Sequence, residues 1–342
     1  MRVERVSSKG SQVLLRAVAT ADEFDEAARQ GVRAFLLAAD APVPADDQLD
    51  TILSQIMGSQ ADIPAAKRDF AANYLVPRAV SQESIMPVCS PDFEVEGSPE
   101  QGGEFVVEIR VFPKPSLELA SYEPVDITVQ APRVSEEEID ARVRELVRQF
   151  GPGADDAAQV DDAWVRDNIP DPQIDTVEGM REALRKAGEQ YKLAEFEQYK
   201  VAMGAAELAK RLTTAVPSDI IDAMANSMIS ELRAQATAQG TTIAAVCEER
   251  GMDEAEMKRE ARDEAASMLQ QGLALDAVFR HEGLAIDEQD RAAALHAIAP
   301  GSEEEAEAQL NASGYAFTIE ETAQRLRAGR FILEHARVTI QA

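Results

Sequence analysis

Residues that carry chemistry are scarce in this 342-residue chain. It has three histidines, two cysteines and one tryptophan, and only 5 % of its residues are aromatic. That is little for a compact enzyme core. Much of the 45 % apolar content is alanine in helical stretches, which build thin layers rather than one thick core. Cys89 and Cys247 lie far apart and share no motif. They exclude a disulfide framework and point to a reducing cytoplasm. No apolar run approaches the ~20 residues that span a bilayer. Met1–Val6 lacks the apolar core of a secretory leader, so neither leader nor membrane partner is expected.

Positive charge is also short. Lys and Arg number 34 against 62 Asp and Glu, a net charge of −28. Such a field repels phosphate backbones, and no basic run offsets it, so direct nucleic-acid binding is not expected. It also keeps a protein soluble, including one whose surface is adhesive to other chains. His281, His296 and His335 stand in no His-Glu-x-x-His context. His281 follows Arg280 at a helix end, where it complements the helix dipole. Gly151-Pro152-Gly153 carries no lysine for a phosphate. Cys89, in Pro87-Val88-Cys89-Ser90-Pro91, reads as a half-buried strand-entry residue, and Cys247 as packing in a short helix. No catalytic, metal or cofactor residue is assigned.

Apolar and polar residues alternate at Val3, Val6, Val13, Leu15 and Ala17 around Ser7–Gly10, which predicts a hairpin. Thr20 and Glu23 form a capping-box pair before a helix to Ala39. Helices follow over 46–57 and 64–84, then strands over 93–96 and 104–112. Residues 1–112 therefore read as an α+β domain. Residues 113–174 read as a linker with a strand at 125–130 and one helix over 135–150. Residues 175–342 read as a mainly helical domain with extended arms. It opens with a long helix over 176–212, and Gly240, Gly251, Gly283, Gly301 and Gly314 break the rest.

The positive signal is an apolar stripe. Ile221, Met224, Met228 and Leu232 recur near helical spacing, and Met268 and Leu273 continue it. Any one of these can be ordinary core. Methionine also suits a surface that accepts many sequences, and the stripe is the candidate contact for unfolded chains.

The order of these pieces resembles the bacterial trigger factor family of ribosome-associated folding chaperones. The likeness rests on Phe24-Asp25-Glu26-Ala27, on Phe105–Pro113 and on Leu117–Tyr122. It continues through Val134–Asp140, Asp175–Glu178, Val216-Pro217, Gly251–Glu254, Gln271-Gly272-Leu273 and Gly283–Ile286. The resemblance implies an ATP-independent chaperone for unfolded or nascent polypeptides, without cofactor, acting as a monomer or weak dimer. It implies two departures as well. After Phe150 there is no room for the family's peptidyl-prolyl isomerase domain, so the chain is expected not to be an enzyme. The family docks on the ribosome through a Gly-Phe-Arg-x-Gly-Lys loop. The matching stretch here, with Asp40, Pro42, Pro44, Asp46 and Asp47, has three acids and no base. Ribosome binding is therefore expected to be weak. The alternatives are a dedicated assembly protein for one partner on the same scaffold, or a residual prolyl isomerase.

Overall fold

The computed structural model describes residues 1–38, 41, 48, 63–97, 103–150, 160–171 and 173–341. The chain divides into two compact units that interleave along the sequence. One comprises Met1–Tyr122 with Leu208–Gly329, the other Glu123–Glu207 with Arg330–Ala342. The expected boundaries at 112 and 174 are not where this division falls.

In the first unit, β1 (Arg2–Lys9), β2 (Gln12–Ala19), β3 (Asp92–Gly97) and β4 (Phe105–Val111) form an antiparallel sheet of order β1-β2-β4-β3. Strand β4 reads as strict alternation, and Phe105, Val107, Ile109 and Val111 are all fully buried on one face. Two helices cover that face, α1 (Ala21–Ala38) and α2 (Ile63–Gln82). The Phe24 ring of α1 lies 4.7 Å from that of Phe105. The capping box forms as expected. Thr20 N donates to Glu23 Oε2 at 2.9 Å, and Glu23 N donates back to Thr20 Oγ1 at 3.4 Å. The expected helix over 46–57 lies, but for residue 48, outside the described residues.

In the second unit, β5 (Asp126–Gln130) is followed by α3 (Glu136–Phe150) and α4 (Asp162–Asn168). Helix α5 (Val177–Ala209) contributes its residues up to Glu207. Ile139, Val143 and Val147 of α3 pack with Val165 and Met180. Helix α4 falls in a stretch read from sequence as punctuation. The signal was present: Asp161 accepts from Trp164 N at 2.8 Å as an N-cap.

The first unit is completed by α6 (Ser218–Ala238), α7 (Ile243–Arg250), α8 (Glu254–His281), α9 (Glu288–Ile298), α10 (Glu303–Ser313) and most of α11 (Phe317–His335). The chain then forms β6 (Arg337–Gln341), which the sequence reading missed. It pairs parallel with β5 in a two-stranded sheet. The architecture is thus an α+β N-terminal domain with a mainly helical C-terminal part.

Candidate functional site

The apolar stripe on α6 and α8 is mostly structural. Leu273 is 1 % exposed and forms one cluster with Val216, Ile220 and Leu269, so in this structure it is a core residue rather than a surface contact. Ile221 and Met224 lean on the same cluster from its edge. Leu232 packs beside Ile229, Cys247 and Met257. Met228 is half-buried, and Met268 is the one of the six that stands in solvent. The cause is that α6 packs along α8, which turns the shared ridge inward. Asp40, Pro42, Pro44, Asp46 and Asp47 lie outside the described residues.

Three open furrows stand out among the described residues. The first, of about 690 Å³, runs between the β2–β4–β3 side of the sheet and α6. It gathers Asp92, Asp219, Asp222 and Glu231 around Cys89. Burial, then the charges of Asp92 and Glu231, push the Cys89 thiol up to about 11. It stays protonated at neutral pH and is no nucleophile. Asp219 in the first turn of α6 holds the β1–β2 turn. Ser11 N donates to its Oδ2 at 2.8 Å and Ser11 Oγ to its Oδ1 at 3.0 Å. The Ser11 amide bond is the main reason the Asp219 carboxyl is more acidic than usual.

That link has a measurable signature. Asp219→Ala should speed hydrogen exchange at the Ser11 amide several-fold while leaving the sheet amides protected. The folded carboxyl is more acidic than the unfolded one. The link is therefore fully present above about pH 4 and is lost as the pH falls through the lower folded value. Unchanged exchange at Ser11 in the variant would show that the turn is held elsewhere.

The other two furrows, of about 820 and 860 Å³, lie along α5 and share Lys192 and Glu195. One is lined by Ile139 and Ala141 of α3 with Ala187 and Gly188 of α5; the other runs between α5 and residues 130–133. Residues Leu184 to Ala202 span about 27 Å of helix. Tyr191 and Tyr199, eight residues apart and so on one helix face, are 65 % and 52 % exposed. The Tyr191 hydroxyl donates to Glu195, and that hydrogen bond, then the carboxylate's charge, raises its pKa. Lys192 is held between the Arg133 carbonyl and Glu138. This tyrosine pair was not picked out from sequence, although its spacing on one long helix was visible there.

The histidines are engaged locally. His281 stacks on Tyr122 at 3.6 Å, and His335 Nδ1 lies 2.8 Å from the Phe331 carbonyl. His296 Nδ1 sits 2.7 Å from Glu303 Oε1 and draws that carboxyl down to about 2. Among the described residues no cluster is placed to hold a metal ion, and no helix is long and apolar enough to cross a membrane.

The fold and its furrows define an α+β domain joined to a helical scaffold, with charged rims and small apolar floors along α5. Two family models match it. One, the bacterial trigger factor protein C-terminus, covers residues 176–334, and the other, bacterial trigger factor protein, covers 51–146. The chain belongs to the bacterial trigger factor family. Residues 147–175 between the two matches are too few to form a further domain with its own core, which takes about 40 or more. The isomerase domain expected at that place in the family is absent.

Curated relatives named trigger factor include that of Streptococcus sanguinis, 36 % identical over 97 residues, covering 25 % of this chain and 22 % of the relative. That of Kineococcus radiotolerans is 28 % identical over 139 residues, 38 % of this chain and 29 % of the relative. The chain thus matches less than a third of these relatives' length. A solved trigger factor chaperone, described for promiscuous substrate recognition in folding and assembly, aligns over 98 % of this chain and 100 % of its own. Its identity is 13 % and its TM-score 0.39.

Proposed function

We propose that the chain is an ATP-independent chaperone that holds unfolded or nascent polypeptides without isomerase activity. The observation that carries this is the pair of furrows along α5, with Tyr191 and Tyr199 standing in solvent above small apolar floors. Aromatic side chains with an apolar body and a polar tip suit weak contact with many sequences. The −28 charge keeps such a surface from self-association. The protein acts in the cytoplasm. Its association with ribosomes is weak at physiological salt, because the docking stretch around Asp40, Asp46 and Asp47 has no base.

The test is suppression of aggregation of a denaturant-unfolded protein at near-stoichiometric ratios, without nucleotide. Tyr191→Ser with Tyr199→Ser should raise the ratio needed for half-suppression several-fold. As exposed changes they should leave the unfolding free energy within about 0.5 kcal/mol of the parent. No suppression by the parent chain at several-fold excess would overturn the reading.

A further inference from the structure

Strand β6 is a sheet edge that nothing among the described residues covers. Arg337 N donates to the Val125 carbonyl at 2.9 Å, and Ala131 N donates to the Gln341 carbonyl at 2.9 Å. In a parallel ladder alternate residues of a strand bond to the same neighbour. Arg337, Thr339 and Gln341 therefore turn their peptide groups towards β5. Val338 and Ile340 turn theirs to the opposite edge, where the two-stranded sheet has no further strand.

The side chains point to the same incompleteness. Val338 registers with Ile127, and Ile340 with Val129, so the four share one face of the sheet. Ile127 and Val129 are buried, and Ile127 lies beside Ile332 at Gly204 of α5. Val338 and Ile340 are 37 % and 56 % exposed. The apolar face runs off the edge uncovered. Two strands are also fewer than a sheet needs for stability of its own. The usual edge guards are missing: Arg337–Gln341 contains neither proline nor lysine. Its one charge is held on the β5 side, where Arg337 meets Asp126 at 2.6 and 3.1 Å.

We propose that the outer edge of β6 takes up an extended, basic client segment with alternating apolar residues, as an added strand. This rests on the chaperone reading above. A second copy of the chain fits less well. A five-residue edge buries far less than the ~1,200–2,000 Å² of a stable complex, and both copies would carry −28. A cationic segment complements that charge. Pairing through a few peptide groups gives the weak, sequence-tolerant grip from which a client escapes.

The probe is a fluorescent peptide, Lys-Val-Lys-Ile-Lys-Val-Lys, titrated into the full chain by anisotropy. Two further versions are N-methylated at alternate amides, one in each phase. One phase should lose about tenfold in affinity and the other about twofold or less, since only one set of amides meets the edge. Ile340→Pro removes an outward N–H and leaves the bonds to β5 in place. It should weaken the parent peptide about tenfold with the unfolding midpoint unchanged. Equal binding of all three peptides overturns the proposal. So does parent-like binding by a folded Ile340→Pro, or a concentration-dependent dimer that Ile340→Pro dissolves, which would assign the edge to a second copy. If Ile340→Pro fails to fold, the methylation pair on the parent chain decides. Aggregation suppression by the parent chain, measured alongside, separates the two claims. Suppression with no edge effect removes only the strand-pairing site, whereas an edge effect without suppression removes the chaperone reading.

Discussion

Asp276→Ala should lower the unfolding free energy by about 3–5 kcal/mol, the cost of stripping one partner from a buried ionic group. Asp276 on α8 is 5 % exposed. Arg325 of α11 grips it with two nitrogens, each at 3.1 Å. Lys114, in the segment after β4, reaches it at 3.1 Å and Glu321 at 2.9 Å, and Arg325 also meets Glu321 at 2.8 Å. Two cations and two anions thus tie three distant segments within one unit. The substitution leaves two cations sharing one carboxylate in a partly dehydrated site. The Arg325 guanidinium lies close against α8, where a methyl group on Gly272 would stand 2.9 Å from its carbon. Urea unfolding at neutral pH measures the loss, as a fall in midpoint at constant slope. A loss under about 1 kcal/mol would mean that the group behaves as a surface pair.

Gly31→Val should cost about 3 kcal/mol, the upper part of the range for overpacking. Gly31 lies where α1 meets α2. A Cβ there would overlap the Phe70 carbonyl oxygen and stand 2.7 Å from its carbonyl carbon. Backbone cannot rotate aside as a side chain can, so the helices must separate. Separation would loosen Val32, Leu36 and Ala66, which pack beside the crossing. Gly31→Ala pits the same overlap against about 1 kcal/mol of gained helix propensity, and should fall between Val and the parent. Thermal unfolding of the three variants gives the order. A Gly31→Ala more stable than the parent would show that the helices part freely.

Local signals were legible in the sequence and long-range ones were not. The capping pair Thr20–Glu23 and the helix stops at Gly251 and Gly314 lie where read, with both glycines left-handed. These features depend on a few neighbouring residues. The stripe through Leu273 was visible as a stripe, but periodicity marks a face without saying what covers it. Here α6 and α8 cover each other. Strand β6 has a plain β-branched pattern in Val338, Thr339 and Ile340, yet its partner lies 211 positions earlier and its helix ends only at His335. A five-residue strand directly after a helix reads as fraying until the partner is known. Tyr191 and Tyr199 were visible as residues, while the furrows beneath them need the packing of α3 and residues 130–133 against α5.

The pairing of Asp126 with Arg337 also sets a timetable for the chain's own birth. At about 5–20 residues per second of synthesis, β5 waits roughly 10–40 s for β6 to be made. The four-stranded sheet needs nothing beyond Val111 and can close long before then. Through that interval Ile127 and Val129 lack their neighbouring strand, and Ile332, which packs over the same ground at Gly204, is still unmade. For much of its synthesis this chain carries the same kind of uncovered apolar strand that we propose its mature form takes up from others.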